Sequence, residues 1–116
     1  MSKKYDLEER TSLFAKAVIK YINKLNKTLA NVEISRQLIR SSGSTGANYI
    51  EANESLSRKD FVYRIKLCRK EAKESTFWLK LLEDREENDE ERQNLIQESI
   101  ELTKIFGAIL RKSVQK

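Results

Sequence analysis

Leu7, Thr11, Phe14, Val18, Tyr21 and Leu25 follow one another at spacings of 4-3-4-3-4. That alternation keeps side chains on one face of an α-helix. Lys16, Lys20, Lys24 and Lys27 fall on the opposite face. Asp6, with Glu9 three residues on, suits the start of such a helix, which is predicted over about 7–27. A short connection is expected near Thr28–Val32. The second stripe reads Ile34, Leu38, Ser41/Ser42, Thr45, Tyr49, Ala52 and Leu56 and predicts a helix over about 33–55. The third is the most regular, Phe61, Ile65, Cys68, Ala72, Ser75, Leu79 and Leu82, and predicts a helix over about 58–86 with Ser57 as its N-cap. Leu95, Ser99, Leu102, Phe106 and Ile109 make the fourth stripe, for a helix over about 89–113. Asp89, Glu90 and Glu91 suit the positive end of its dipole. No strand pattern competes. Four helices joined by short turns predict an all-α fold, an antiparallel up-and-down four-helix bundle forming a single domain over residues 1–116.

The second stripe contains the segment RSSGSTGANYIEA, residues 40–52, which holds two of the three glycines. Glycines and hydroxyls together suggest a phosphate-binding loop, but that motif needs G-x-x-x-x-G-K-[ST] after a strand. Here Gly43 and Gly46 are too close, no lysine follows until Lys59, and the preceding residues read as helix. The alternative is a helix whose small face lets a neighbour approach closely. Hydroxyls on such a face can bond back to carbonyls one turn earlier. Gly107, within the fourth helix, is expected to mark another close approach.

Composition narrows the chemistry. The chain has no histidine, one cysteine and no proline. It therefore lacks the commonest general base and metal ligand, and an intrachain disulfide is impossible. Cys68 sits on the core stripe and is expected to be a buried, inert thiol. Neither a catalytic set, a metal site nor a cofactor is expected. No apolar run is long enough to cross a membrane, and the first residues lack the apolar stretch of a signal peptide, so a cytoplasmic location without membrane contact is expected. The net charge is +5, yet residues 83–91 hold seven acids and one arginine. The other 107 residues carry +11, a balance suited to a polyanionic partner.

The segments RSSGSTGANYIEANESLSRKDF and KEAKESTFWLKLL resemble the small four-helix bundle proteins encoded within intervening sequences of bacterial 23S rRNA genes. The resemblance rests on Arg40, Ser41, Ser44, Gly46, Ala47, Asn48, Tyr49, Glu51 and Ala52, on Lys59, Asp60 and Phe61, and on Glu71, Glu74, Phe77, Trp78 and Leu79. Thr45 departs from it, standing where that family usually has Ile or Val. The resemblance implies an antiparallel bundle assembled as a ring-like homopentamer, with a largely undefined biochemical role. A related branch resembles the accessory proteins of diversity-generating retroelements, basic pentameric barrels that bind nucleic acid and a reverse transcriptase.

Two surface features bear on function. Lys59, Lys66, Lys70, Lys73 and Lys80 fall within about 80° of arc on the third helix. With Lys16, Lys20, Lys24 and Lys27 on the first helix, they form cationic rails suited to phosphates. The competing reading is a solvated helix face, paired only in part with nearby glutamates. Tyr63, Leu67, Trp78 and Leu81 form an apolar stripe away from the core seam, the candidate interface of a homo-oligomer. The alternative there is that the fourth helix covers Trp78. Glu51, Glu71 and Glu74 are read as structural partners of Arg40, Arg69 or Asn48 rather than as catalytic carboxylates. Tyr5, Tyr49 and Tyr63 are aromatic groups able to stack on bases. The leading expectation is a non-enzymatic, basic, homo-oligomeric scaffold that binds RNA or DNA without base-specific readout. Its alternatives are a protein-interaction module that binds no nucleic acid, and an enzyme working through carboxylates alone.

Overall fold

The computed structural model describes residues 6–114. It contains four helices, α1 Leu7–Ile22, α2 Leu29–Asn53, α3 Arg58–Leu81 and α4 Asp89–Val114, with a 3-10 turn at Glu86–Asn88 before the last. There is no strand among the described residues. Three helices start where a side chain takes up a free backbone donor. Asp6 accepts from Glu9 N at 2.8 Å, Thr28 from Asn31 N at 3.1 Å and Ser57 from Asp60 N at 3.1 Å. Such caps contribute about 1 kcal/mol each.

Three helix ends differ by four or five residues from the sequence reading. α1 stops at Ile22, and α2 begins at Leu29 rather than 33. Leu25 nevertheless stays in the core at 7% exposure, because the connection folds inward and continues the apolar stripe without helical backbone. α3 stops at Leu81, and Leu82 is extended yet buried. Arg92 closes this end, its Nη1 donating to the Leu79 carbonyl at 3.1 Å. A cation there satisfies a free carbonyl and opposes the negative helix end. Leu56, assigned to the core stripe by spacing, is 99% exposed, since α2 has already ended.

One core joins all four helices. Phe14, Val18 and Tyr21 of α1, Leu38 and Ala52 of α2, Ile65, Cys68, Ala72 and Leu79 of α3, and Leu95, Leu102 and Phe106 of α4 are buried together. The serine–glycine tract is helical throughout, and Ser41, Ser42 and Thr45 are buried. Ser41 and Ser75 share a hydrogen bond of 2.8 Å between α2 and α3, and Thr45 donates to the Ser41 carbonyl at 2.9 Å. Thr76 and Ser99 form the matching link between α3 and α4 at 2.5 Å. Small hydroxyls on the seams thus bring the helices close with their polar atoms paired. Gly46 faces Thr11, where a Cβ would lie 2.8 Å from Oγ1. Gly107 departs from expectation. A Cβ there would meet only Arg69 and Arg111 side chains, the nearest at 3.6 Å, so no helix backbone closes on it.

The connecting end is held by polar contacts. Asn31, 2% exposed, donates to the Asn26 and Glu83 carbonyls and accepts from Glu83 N at 3.1 Å. Tyr21 donates to Asp84 at 2.6 Å. At the other end Asn53 donates to Glu8 at 2.9 Å, and Arg10 pairs with Glu98 at 2.8 Å. No helix among the described residues is long and apolar enough to cross a membrane.

Candidate nucleic-acid interface

The α3 lysines stand on exposed positions. Lys66, Lys70 and Lys73 surround a hollow of about 250 Å³ with Arg69 and Leu110. Lys73 also borders a second hollow of about 480 Å³, lined by Thr76, Phe77 and Lys80 of α3 and by Ile100, Thr103 and Lys104 of α4. The two hollows share Lys73 as a lining residue and follow one another along the α3–α4 groove. From Lys66 to Lys80 it runs about 21 Å, at 1.5 Å of rise per residue.

Ion pairs are few among the described residues, and none falls on this face. The ion pairs of the described residues use Arg10, Lys24, Arg36, Arg40 and Arg92. Among the described residues, none of Lys66, Lys70, Lys73, Lys80 and Lys104 has a carboxylate oxygen within 4.0 Å. These five lysines therefore stand in solvent without glutamate partners among the described residues.

The α1 rail is less coherent. Lys16 and Lys20 are exposed on α1, but Lys24 lies beyond the helix end and pairs with Glu91 at 2.8 Å. Lys27 also lies in the connection. Lys59 is exposed in the first turn of α3, about one helical turn and three residues before Lys66, and lines neither hollow. Lys104 and Phe77 are the members that the sequence reading missed. For Phe77 a signal existed: at 100° per residue it falls about 20° from Lys66, in the middle of the rail.

The apolar stripe is divided. Tyr63 and Leu81 are 57% and 45% exposed, whereas Leu67 and Trp78 are half-buried. The Trp78 indole donates to Glu74 at 2.9 Å and meets the Phe77 ring edge-on, with centroids 4.9 Å apart. Arg40 of α2 reaches both Glu71, at 3.0 Å, and Glu74. These two acids are thus structural partners of Arg40. Glu51 is exposed and stands apart, while Asn48 accepts from Arg64 at 3.1 Å. No cluster of three or more acids or cysteines able to hold a metal occurs among the described residues. Cys68 is fully buried, and burial pushes its thiol up to about 12. Tyr49 packs against Phe106 within the bundle, and Tyr5 lies outside the described residues.

The model of the 23S rRNA-intervening sequence protein family matches residues 3–108. The chain belongs to that family. Its fold is similar to the crystal structure of a protein of unknown function from the S23 ribosomal protein family of Bacteroides thetaiotaomicron. The two are 28% identical with a TM-score of 0.75, covering 90% of this chain and 98% of the other. No curated protein matches the chain. Membership in the 23S rRNA-intervening sequence family agrees with the resemblance drawn from residues 40–61 and 71–79.

Proposed function

We propose that the chain is a non-enzymatic, basic scaffold that binds RNA or DNA along the α3–α4 groove. The observation that carries this reading is the clustering of five lysines around the α3–α4 hollows, with no acid lining either hollow. Unpaired, closely spaced cations repel one another, and a polyanion relieves that repulsion while releasing its own counterions. The reading extends to an antiparallel arrangement of the helices, supported by the end-to-end contacts Glu8–Asn53 and Asn31–Glu83.

It extends also to a homo-oligomer, a pentamer by family resemblance. Two apolar surfaces support this. One is the outer stripe with Tyr63 and Leu81. The other is a groove of about 320 Å³ between α1 and α2, where Ile19, Gly43, Ala47 and Ile50 are exposed. Two different patches joined head to tail close a ring when the rotation between copies completes a full turn, and such a ring would repeat the lysine face around it. A reverse transcriptase, implied only by the wider resemblance, would dock beside the bound nucleic acid in the cytoplasm.

The test is fluorescence anisotropy with a labelled 20-nucleotide RNA at several salt concentrations. Changing Lys66, Lys70 and Lys73 together to Gln is expected to weaken binding and to reduce the log–log salt slope by about 2, at roughly 0.7 per phosphate contact for a single strand. Unchanged affinity and slope would show that the rail is a solvated face and leave the protein-interaction reading in its place.

A further inference from the structure

We infer that the α3–α4 groove takes a single strand of nucleic acid with a base stacked on Phe77. This rests on the basic-face reading above and goes beyond it by naming the form of the ligand. Phe77 is 54% exposed, although it lies beside the half-buried Trp78. Its ring is held from behind, because Trp78 meets it edge-on and is itself anchored to Glu74 and through it to Arg40. The result is a braced aromatic face, open to solvent, with Lys73 and Lys80 before and after it on α3 and Lys104 across the groove.

The groove floor decides which part of a nucleic acid fits. Ile100 is apolar, and the hydroxyls of Thr76 and Thr103 are engaged with Ser99 at 2.5 and 2.8 Å. Little hydrogen-bonding capacity is left to read base edges. A flat, weakly polar surface suits this floor, and lysines at the rim suit the phosphates on either side. In a duplex the base faces are already stacked and the backbone covers them. A single strand presents both parts at once, and stacking on an aromatic ring tolerates any base. With the hydroxyl protons of Thr76 and Thr103 already committed, the floor keeps only acceptor lone pairs, and binding with little sequence preference is expected.

The test compares Phe77→Ala and Phe77→Tyr with the unaltered full chain. The probes are a labelled 20-nucleotide oligouridylate, the matching oligothymidylate and a 20-base-pair duplex. Loss of one stacked base is worth about 1–3 kcal/mol, so Phe77→Ala is expected to weaken single-strand binding by roughly 5- to 150-fold. Duplex binding and the salt slope are expected to hold, and Phe77→Tyr is expected to retain most of the affinity. Comparable affinity of RNA and DNA strands supports stacking over sugar recognition. If the lysine variant weakens both forms while Phe77→Ala weakens neither, the basic-face reading stands and the stacking inference falls. If none of the three probes binds the unaltered protein, both fall. Light scattering on each variant adds one more outcome: loss of assembled mass in Phe77→Ala would place the ring in a protein contact and overturn the inference.

Discussion

Gly43 and Gly46 lie three residues apart in α2, and the same substitution is expected to have opposite effects at the two positions. A Cβ at Gly43 would meet nothing within 4 Å. Gly43→Ala therefore gains helix propensity without a steric penalty, about 1 kcal/mol of stability. At Gly46 the new Cβ would lie 2.8 Å from Thr11 Oγ1 and 3.1 Å from its Cβ. Thr11 has little room to move, being 1% exposed with its hydroxyl donating to the Leu7 carbonyl at 2.7 Å. Overpacking of this kind costs about 1–3 kcal/mol. Set against the same propensity gain, Gly46→Ala should end about 0–2 kcal/mol less stable than the unaltered chain. Urea unfolding measures both, since one kcal/mol moves the midpoint by roughly 0.3–1 M at ordinary slopes. The double variant Thr11→Ala with Gly46→Ala then isolates the contact, with a coupling of about 0.5–3 kcal/mol expected. Running each melt at two protein concentrations separates fold from assembly. If Gly43→Ala destabilises only in a concentration-dependent way, a second copy sits against it. Equal stabilisation by both alanines, with no coupling to Thr11, would refute the claim that the small residues of α2 exist to admit α1.

Other expectations follow from the buried polar groups. Burial opposes ionisation of Asp84, but hydrogen bonds from Asn88, Tyr21 and Arg85 N outweigh it and hold the carboxyl below its usual value of 3.8. Its contribution is present above that value and is lost as pH falls through the lower folded pKa. Asp84→Asn should therefore be less stable than the unaltered chain at pH 7, with the gap narrowing below about pH 4 in urea melts. Tyr21→Phe removes the bond to that carboxylate and should cost roughly 1.5–3 kcal/mol at neutral pH. Burial, then the bond to Asp84, raises the Tyr21 phenol above its usual value of 10.0. Its share of stability is present below 10.0 and declines as pH rises toward the folded value, so the unaltered chain should lose stability in alkali faster than Tyr21→Phe. Cys68, buried with its thiol pushed up to about 12, should resist a thiol-specific reagent in the native state and react fully in urea.

The helices and their core faces were legible because spacing alone reports which side is apolar. Thr11, Ser41, Thr45, Ser75 and Ser99 are all buried, and each falls on a stripe where spacing placed it, despite its hydroxyl. Helix ends were less legible. Leu25 and Leu82 continue the apolar stripe after the helical backbone has stopped, so periodicity ran past Ile22 and Leu81. The caps carried the missing information at Thr28, whose side chain starts α2. The same error affected the α1 rail, because Lys24 and Lys27 belong to it only if the helix continues. On α3 the rail survived, since Lys59 to Lys80 all lie within the observed helix. Lys104 was not legible as part of the site. Only packing of α4 against α3 brings it across from Phe77.

Two of the grooves with apolar lining, α1–α2 and α3–α4, differ in the charge around them, and that charge favours different occupants. The α1–α2 groove carries one acid, Glu8, and one lysine, Lys16, at its border, so its rim is close to neutral. Ala15, Gly43 and Ala47 leave it shallow, a shape into which the ridge of another helix fits. A neutral rim neither attracts a polyanion nor repels a copy of the same basic chain. The α3–α4 groove has the same apolar character but lysines on both walls and no acid lining it. A second copy of a chain with net charge +5 would meet repulsion there, whereas a phosphate backbone would meet none. On the proposed reading, assembly would use the first groove and ligand binding the second, and the two would be separable. Substitutions at Gly43 or Ala47 should change the mass of the particle before they change its affinity per chain, and those at Lys66, Lys70, Lys73 or Phe77 should do the reverse.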